Sequence, residues 1–245
     1  MKEWQGKRYW LVGASEGLGR ALAQKLSAAG AEVIVSARNT ERLDQLIAEL
    51  PGKATAVTID VTDRAAVEAA AAQIGPVDGV VYLAGVYWPI AADTWDAAQV
   101  DLMGEVNYLG AARVVGAVMP AMQARGTGHI VLTGSLSGFR GLPGAVGYAA
   151  SKAGIMALAE SLYADLRKTE IQVQLVNPGF IKTRLTEKND FKMPFIMTPE
   201  TAADEMFDHM NTDGFKKSFP LLFSWVFRGA QFLPDWAYYR LFGAK

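Results

Sequence analysis

Residues 9–30, Y-W-L-V-G-A-S-E-G-L-G-R-A-L-A-Q-K-L-S-A-A-G, decide the fold. Tyr9 to Val12 is a short apolar run of strand character that stops at Gly13. The turn Gly13-Ala14-Ser15-Glu16-Gly17-Leu18-Gly19 follows, and Arg20 to Ala28 is helical until Gly30 ends it. A strand, a glycine turn and a helix in this order suit a pyrophosphate. Glycines let the backbone come close, and the helix N-terminus offers free N–H groups and a partial positive charge. The spacing is G-x-x-x-G-x-G rather than the usual dinucleotide G-x-G-x-x-G. Position between the first strand and the first helix therefore carries the argument.

Outward from this unit the pattern repeats. Glu32–Ala37 is a second strand with Arg38 directly after it, and Ala54–Ile59 is a third, leading into Asp60-Val61-Thr62-Asp63. Asp63 suits a helix N-cap, whereas Asp60 stands at a strand's carboxyl end, where a ligand of an open parallel sheet lies. Gly79–Leu83 is a fourth strand, ending in Ala84-Gly85, and the aromatic stretch Val86–Trp95 follows it. One long helix is expected over Asp96–Ala124, with Asn107 inside it. A fifth strand, H-I-V-L-T, runs toward Ser135, and a sixth, Gln172–Val176, closes on Asn177-Pro178-Gly179. Two βαβαβ halves without a composition break predict an α/β chain: a single Rossmann-type domain over residues 1–245, its doubly wound parallel sheet covered by helices on both faces. Residues 180–245 form a substrate-side region within it, with a helix at Pro199–His209, a short strand at Lys216–Pro220 and an apolar C-terminal extension.

Composition narrows the function. The chain of 245 residues is 51% hydrophobic and 20% charged, with net charge −1, which gives no electrostatic case for a nucleic-acid partner. It has no cysteine and only two well-separated histidines, His129 and His209, so disulfides, thiolate chemistry and a catalytic metal are not expected. The first residues carry no apolar signal core, and no apolar stretch reaches the ~20 residues of a bilayer crossing; a cytoplasmic address follows as the expectation.

The chemistry centres on Ser135 to Lys152, S-L-S-G-F-R-G-L-P-G-A-V-G-Y-A-A-S-K. Tyr148 and Lys152 are four apart at the start of a helix, on one face and about 6 Å apart in rise. A lysine ammonium beside a phenol stabilises the phenolate, and a tyrosine tuned this way exchanges protons with an alcohol or carbonyl oxygen. Ser135 can donate a second hydrogen bond to that oxygen. Arg38, with no carboxylate beside it, favours the 2′-phosphate of NADP(H) over NAD(H); the nearest acid, Glu41, lies in the next helix and leaves NAD open.

With these residues placed, residues 7 to 185 resemble the short-chain dehydrogenase/reductase family, in its short single-domain branch. Gly13-x-x-x-Gly17-x-Gly19 is similar to the family's cofactor turn, Asp60 to its adenine-contacting Asp, and Asn107 to its helical catalytic Asn. Ser135, thirteen residues before Tyr148, and Tyr148-Ala149-Ala150-Ser151-Lys152 resemble its catalytic serine and Y-x-A-S-K motif. Asn177-Pro178-Gly179 with Thr183 resembles the segment that contacts the nicotinamide carboxamide and phosphates. The resemblance implies cofactor contacts from Gly13, Ser15, Gly17, Leu18, Gly19, Arg38, Asp60, Val61, Ala84, Gly85, Tyr148, Lys152, Pro178, Gly179, Ile181 and Thr183, and catalysis by Ser135, Tyr148, Lys152 and Asn107, the last organising a water. Two departures stand out. The family's N-N-A-G is Tyr82-Leu83-Ala84-Gly85 here, which removes two asparagines, and Ser15-Glu16 replace the basic residue usual in the glycine turn.

The expected activity is hydride transfer between NADPH and a lipophilic carbonyl or secondary alcohol, with Tyr148 exchanging the proton. The alternative is a catalytically silent NADP-binding sensor or scaffold on the same fold. Tyr87, Trp88, Leu142, Pro143, Phe180, Phe191, Met193 and Phe195 are candidate pocket walls. Apolar helix faces on Asp96–Ala124 and Tyr148–Lys168, which family members pair across two-fold axes, predict a homodimer or homotetramer. The aromatic-rich tail, Phe215–Phe242, is expected to pack on its own core or on a sister subunit in preference to a peripheral membrane contact, because its basic residues are few and scattered.

Overall fold

The computed structural model describes residues 2–243. Seven parallel strands form one sheet in the order β3-β2-β1-β4-β5-β6-β7. They are β1 (Arg8–Val12), β2 (Glu32–Ala37), β3 (Ala54–Thr58), β4 (Gly79–Tyr82), β5 (Thr127–Thr133), β6 (Glu170–Pro178) and β7 (Lys216–Phe219). The order reverses between β1 and β4, which opens a crevice at their carboxyl ends. Alternate strand residues feed two cores. Trp10, Ile34, Val80, Tyr82, Ile130 and Leu132 enter one; Leu11, Val33, Val35, Val81, Val131 and Val176 enter the other. Helices cover both faces: α1 (Gly17–Ala28), α2 (Thr40–Glu49) and α7 (Pro199–Met210) on one, and α3 (Arg64–Ile74), α4 (Ala97–Gly104), α5 (Gly110–Arg125) and α6 (Val146–Leu166) on the other. The C-terminal extension forms α8 (Leu221–Ala230) and α9 (Asp235–Phe242). Among the described residues, no helix is long and apolar enough to cross a membrane.

The strands follow the sequence pattern within one to two residues at each end, and Asp63 caps α3 by accepting the Ala66 N–H. Three differences have physical reasons. The first helix starts at Gly17, because the glycine turn already contributes its first turn. The sixth strand extends to Pro178, since β7 pairs with its last four residues and gives them a ladder to join. The expected single helix over Asp96–Ala124 is two α-helices joined by a π-turn at Glu105–Leu109, with one surplus residue between α4 and α5. Asn107 sits in that turn.

Candidate active site

The glycine turn is shaped by steric necessity at two positions. Gly13 adopts φ +94°, and a Cβ there would stand 2.3 Å from the Ala84 amide nitrogen. A Cβ on Gly19 would stand 2.2 Å from the Gly13 carbonyl oxygen. No carboxylate lies in the first turn of α1, and no side chain caps its N-terminus, so its leading N–H groups face the crevice without a protein partner from the cap residue. This close-approach cradle fits a pyrophosphate.

The crevice is a cleft of about 630 Å³. Gly13, Ser15, Leu18, Gly19, Arg38, Asp60, Val61, Ala84 and Gly85 line it, joined by Val86, Tyr87 and Trp88. Gly17 stands at its edge against Thr183, whose Cγ2 would lie 2.9 Å from a Cβ at that glycine. Pro178 ends β6, and the N–H of Gly179, just after it, donates to the Phe219 carbonyl at 2.7 Å. The Ile181 side chain is buried in the α1/α7 core and its carbonyl accepts the Thr186 hydroxyl at 2.8 Å, which leaves its backbone, not its side chain, for a ligand. Asp60 also has work within the protein, since Oδ1 accepts both the N–H and the hydroxyl of Thr62.

Several cleft residues were not legible in advance. Arg42 and Arg184 line it and share one carboxylate: Glu16 Oε2 accepts from Arg42 Nη1 at 2.7 Å, and Glu16 Oε1 from Arg184 Nε at 2.9 Å. The glutamate that replaces the usual basic residue thus ties α2 to the loop after β6. Lys188 holds the same loop to the β4 side, donating to the Tyr87 carbonyl at 2.7 Å and lying 4.1 Å over the Trp88 ring. Arg42 follows Arg38 at helical spacing, which was the available signal; the loop contacts had none.

Ser135, Tyr148, Lys152 and Asn107 converge at the carboxyl ends of β4 and β5. Ser135 follows β5 and is buried; its hydroxyl accepts the Ser137 N–H at 3.2 Å and lies 2.7 Å from the Ser137 hydroxyl. Tyr148 and Lys152 are on the first turns of α6, with the ammonium 5.8 Å from the phenol ring centroid. Burial, opposed by the Ser135 hydroxyl, pushes the Tyr148 phenol up to about 12. Burial alone lowers the Lys152 ammonium to about 8. The expectation that Lys152 lowers the tyrosine's pKa is therefore not met by these groups: burial dominates both, and Lys152 directs its proton to the Thr133 carbonyl at 2.9 Å. Tyr87 packs edge-on against Tyr148, ring centroids 5.0 Å apart, as a cleft wall.

Asn107 is fully buried. Its Nδ2 donates to the Val86 carbonyl at 3.0 Å and to the Ser151 hydroxyl at 2.9 Å, and its Oδ1 accepts the Val86 N–H at 2.8 Å. Both donors are spent on protein partners, so the amide clamps the turn after β4 to α6. The missing asparagines of that turn are offset from below. The Tyr82 hydroxyl donates to the Val106 carbonyl at 2.5 Å, inside the π-turn. Of the other expected walls, Leu142 and Pro143 border a separate groove beside α9, and Phe191 and Phe195 are largely exposed.

Comparison with known proteins agrees with this arrangement. A family model described as short chain dehydrogenase matches residues 7–193. An uncharacterized oxidoreductase of Myxococcus xanthus is 37% identical over 244 residues, covering 96% of each chain. The crystal structure of a short-chain dehydrogenase from Streptomyces avermitilis superposes with a TM-score of 0.80 at 28% identity, covering 91% of each chain. A variant of actinorhodin polyketide ketoreductase solved with NADPH superposes with a TM-score of 0.79 at 26% identity, over 89% of this chain and 97% of that one.

Proposed function

This chain belongs to the short-chain dehydrogenase family, an NAD(P)-dependent oxidoreductase acting on CH–OH and C=O groups, and from that premise we propose that it reduces a lipophilic carbonyl with NADPH. The observation that carries the proposal is the convergence of Ser135, Tyr148 and Lys152 at the open end of the glycine-turn cleft. When bound, the nicotinamide cofactor supplies the hydride. Gly13, Ser15, Gly17, Leu18, Gly19, Val61, Ala84 and Gly85, with Pro178, Gly179, Thr183 and the Ile181 backbone, would hold it, and Asp60 would serve its adenine. Arg38, exposed at the end of β2, would pair with its 2′-phosphate, and Arg42 stands beside it as a second cation.

Ser135 holds the substrate oxygen by a hydrogen bond, and Tyr148 delivers the proton to that oxygen. With its pKa near 12 the phenol is protonated at every physiological pH, as a donor in the reducing direction must be. Lys152 remains charged below pH 8 and would hold the cofactor ribose beside the tyrosine. Asn107 is a positioning residue, acting through Val86 and Ser151. The aromatic lining from Tyr87 and Trp88 supports a lipophilic substrate. Residues 180–245 would be the substrate side of a single cytoplasmic domain, and Tyr108, Leu109 and Tyr163, partly exposed on the α4–α6 surface, support a homo-oligomer. NADPH oxidation against a panel of hydrophobic ketones and aldehydes tests the reading. No turnover of any of them, with NADPH bound, would refute it.

A further inference from the structure

We propose that α8 and α9 dock the protein on an anionic lipid surface and that a lipophilic substrate passes from that surface to the cleft; the second clause rests on the reading above, the first does not. Leu221, Leu222, Trp225 and Val226 stand at i, i+1, i+4 and i+5 along α8, all exposed, with Leu222 at 75%. On its other side, Phe223 and Phe227 are half-buried and Ser224 and Ala230 are buried. A helix that is apolar all round is ordinarily covered on both sides. Here one side is not. Phe232, at the turn between the helices, is 84% exposed, and Trp236 on α9 is 73% exposed.

These helices are pinned in place. Arg140 lies in the loop between Ser135 and Tyr148. Its Nη1 donates to the carbonyls of Ala230 and Leu233, the latter at 2.7 Å, its Nη2 pairs with Asp235, and its guanidinium lies 4.0 Å over the Tyr238 ring. The Tyr238 hydroxyl returns a hydrogen bond to the Gly141 carbonyl at 2.9 Å. The outward apolar face is thus held by the inward one.

The apolar face also runs back to the end of β6, where the Ser135 end of the sheet lies. Phe180, directly after Gly179, has its ring centroid 5.9 Å from that of Phe223, which is 5.0 Å from Phe227; Phe227 is 6.5 Å from Phe242 on α9. Aromatic rings therefore run without a break from the end of β6 to the exposed helices.

Charge selects the occupant. Lys216 and Lys217 are paired with Glu160 and Glu205, but Arg228 on α8 and Arg240 on α9 are exposed without an acidic partner among the described residues, and Asp235, the one acid of the two helices, is engaged by Arg140. Arg228 lies 5.1 Å over the exposed Trp225, an aromatic–cation pair suited to the headgroup level. Pairing with a second copy across a two-fold axis would set these cations against their own likes. An anionic lipid surface takes them instead.

The test is flotation of the full chain, at physiological salt, with vesicles of phosphatidylcholine alone and of phosphatidylcholine mixed with phosphatidylglycerol. The chain should float with the mixed vesicles. The triple variant Trp225→Ser, Phe232→Ser, Trp236→Ser should lose at least ~tenfold in partitioning, about 1.4 kcal/mol. Its melting temperature and its turnover of a small water-miscible carbonyl should not change, because the three side chains are exposed. No flotation of the parent, or equal flotation of the variant, overturns the proposal; so does a parent that fails to float while the triple variant falls from dimer to monomer in sedimentation. Flotation reads docking without turnover, and the water-miscible carbonyl reads turnover without lipid, so failure of one is distinct from failure of the other.

Discussion

The Lys152 ammonium donates to the Thr133 carbonyl at 2.9 Å, placing a buried cation at the end of β5, one turn along α6 from Tyr148. Its folded-state pKa of about 8 lies below the ordinary lysine value of 10.5. The unfolded chain holds the proton between those values and the folded chain does not, so stability rises with pH across that window. Below pH 8 the buried charge costs its full amount.

Lys152→Met should therefore raise the stability of the nucleotide-free protein at pH 7, by on the order of 1–2 kcal/mol after the Thr133 carbonyl loses its donor. The gain should shrink as pH rises toward 10. Activity moves the opposite way: the variant should be inactive, and the parent's kcat/KM should fall above pH 8 as the charge is lost. Thermal melts at two pH values check it, and a lower Tm for the variant at pH 7 would refute it.

Tyr148→Phe removes only the hydroxyl. Turnover should fall by about 10²–10⁴-fold while NADPH binding stays within a factor of a few. Retention of a tenth of the activity would show that another group supplies the proton.

Tyr82→Phe should act at a distance. The Val106 carbonyl would lose its buried donor, costing roughly 1–3 kcal/mol of stability. If the π-turn positions Asn107, kcat should fall with KM for the substrate little changed. A variant that is less stable yet keeps the parent kcat would make Tyr82 structural only.

Arg38→Ala should narrow the preference for NADPH over NADH by ten- to a hundredfold, about 1.5–3 kcal/mol for a charge-assisted contact. Arg42→Ala should narrow it less, because Glu16 already shares that guanidinium. Fluorescence titration of both cofactors decides, and equal affinity of the parent for the two would remove the NADPH assignment.

The sheet was legible because its strands are continuous apolar runs closed by glycine or polar residues, as a two-sided parallel sheet requires. Ser135, Tyr148 and Lys152 were legible from spacing along one strand and one helix. What stayed hidden depends on elements far apart in the chain. Glu16 meets Arg184 across 168 positions, and Arg140 meets Asp235 across 95; no local pattern announces either. The pKa values were misjudged for a related reason. Sequence gives the neighbour of a tyrosine but not its loss of water, and here the loss of water dominates. The π-turn escaped because Glu105–Leu109 has ordinary helical composition; its partners are Tyr82 at the end of β4 and Val86 in the turn after it, both distant in the chain.

That surplus residue sets the phase of everything after it. Deleting one residue between Glu105 and Leu109 would restore an unbroken α-helical ladder, which local propensity favours. It would also turn the following helix by about 100° about its axis, one residue's worth of rotation. Val114, Val115 and Val118, now in the core, would swing off the sheet, and Asn107 would leave Val86. The rod from α4 to α5 is thus indexed like a key, its count fixed by the lock at both ends.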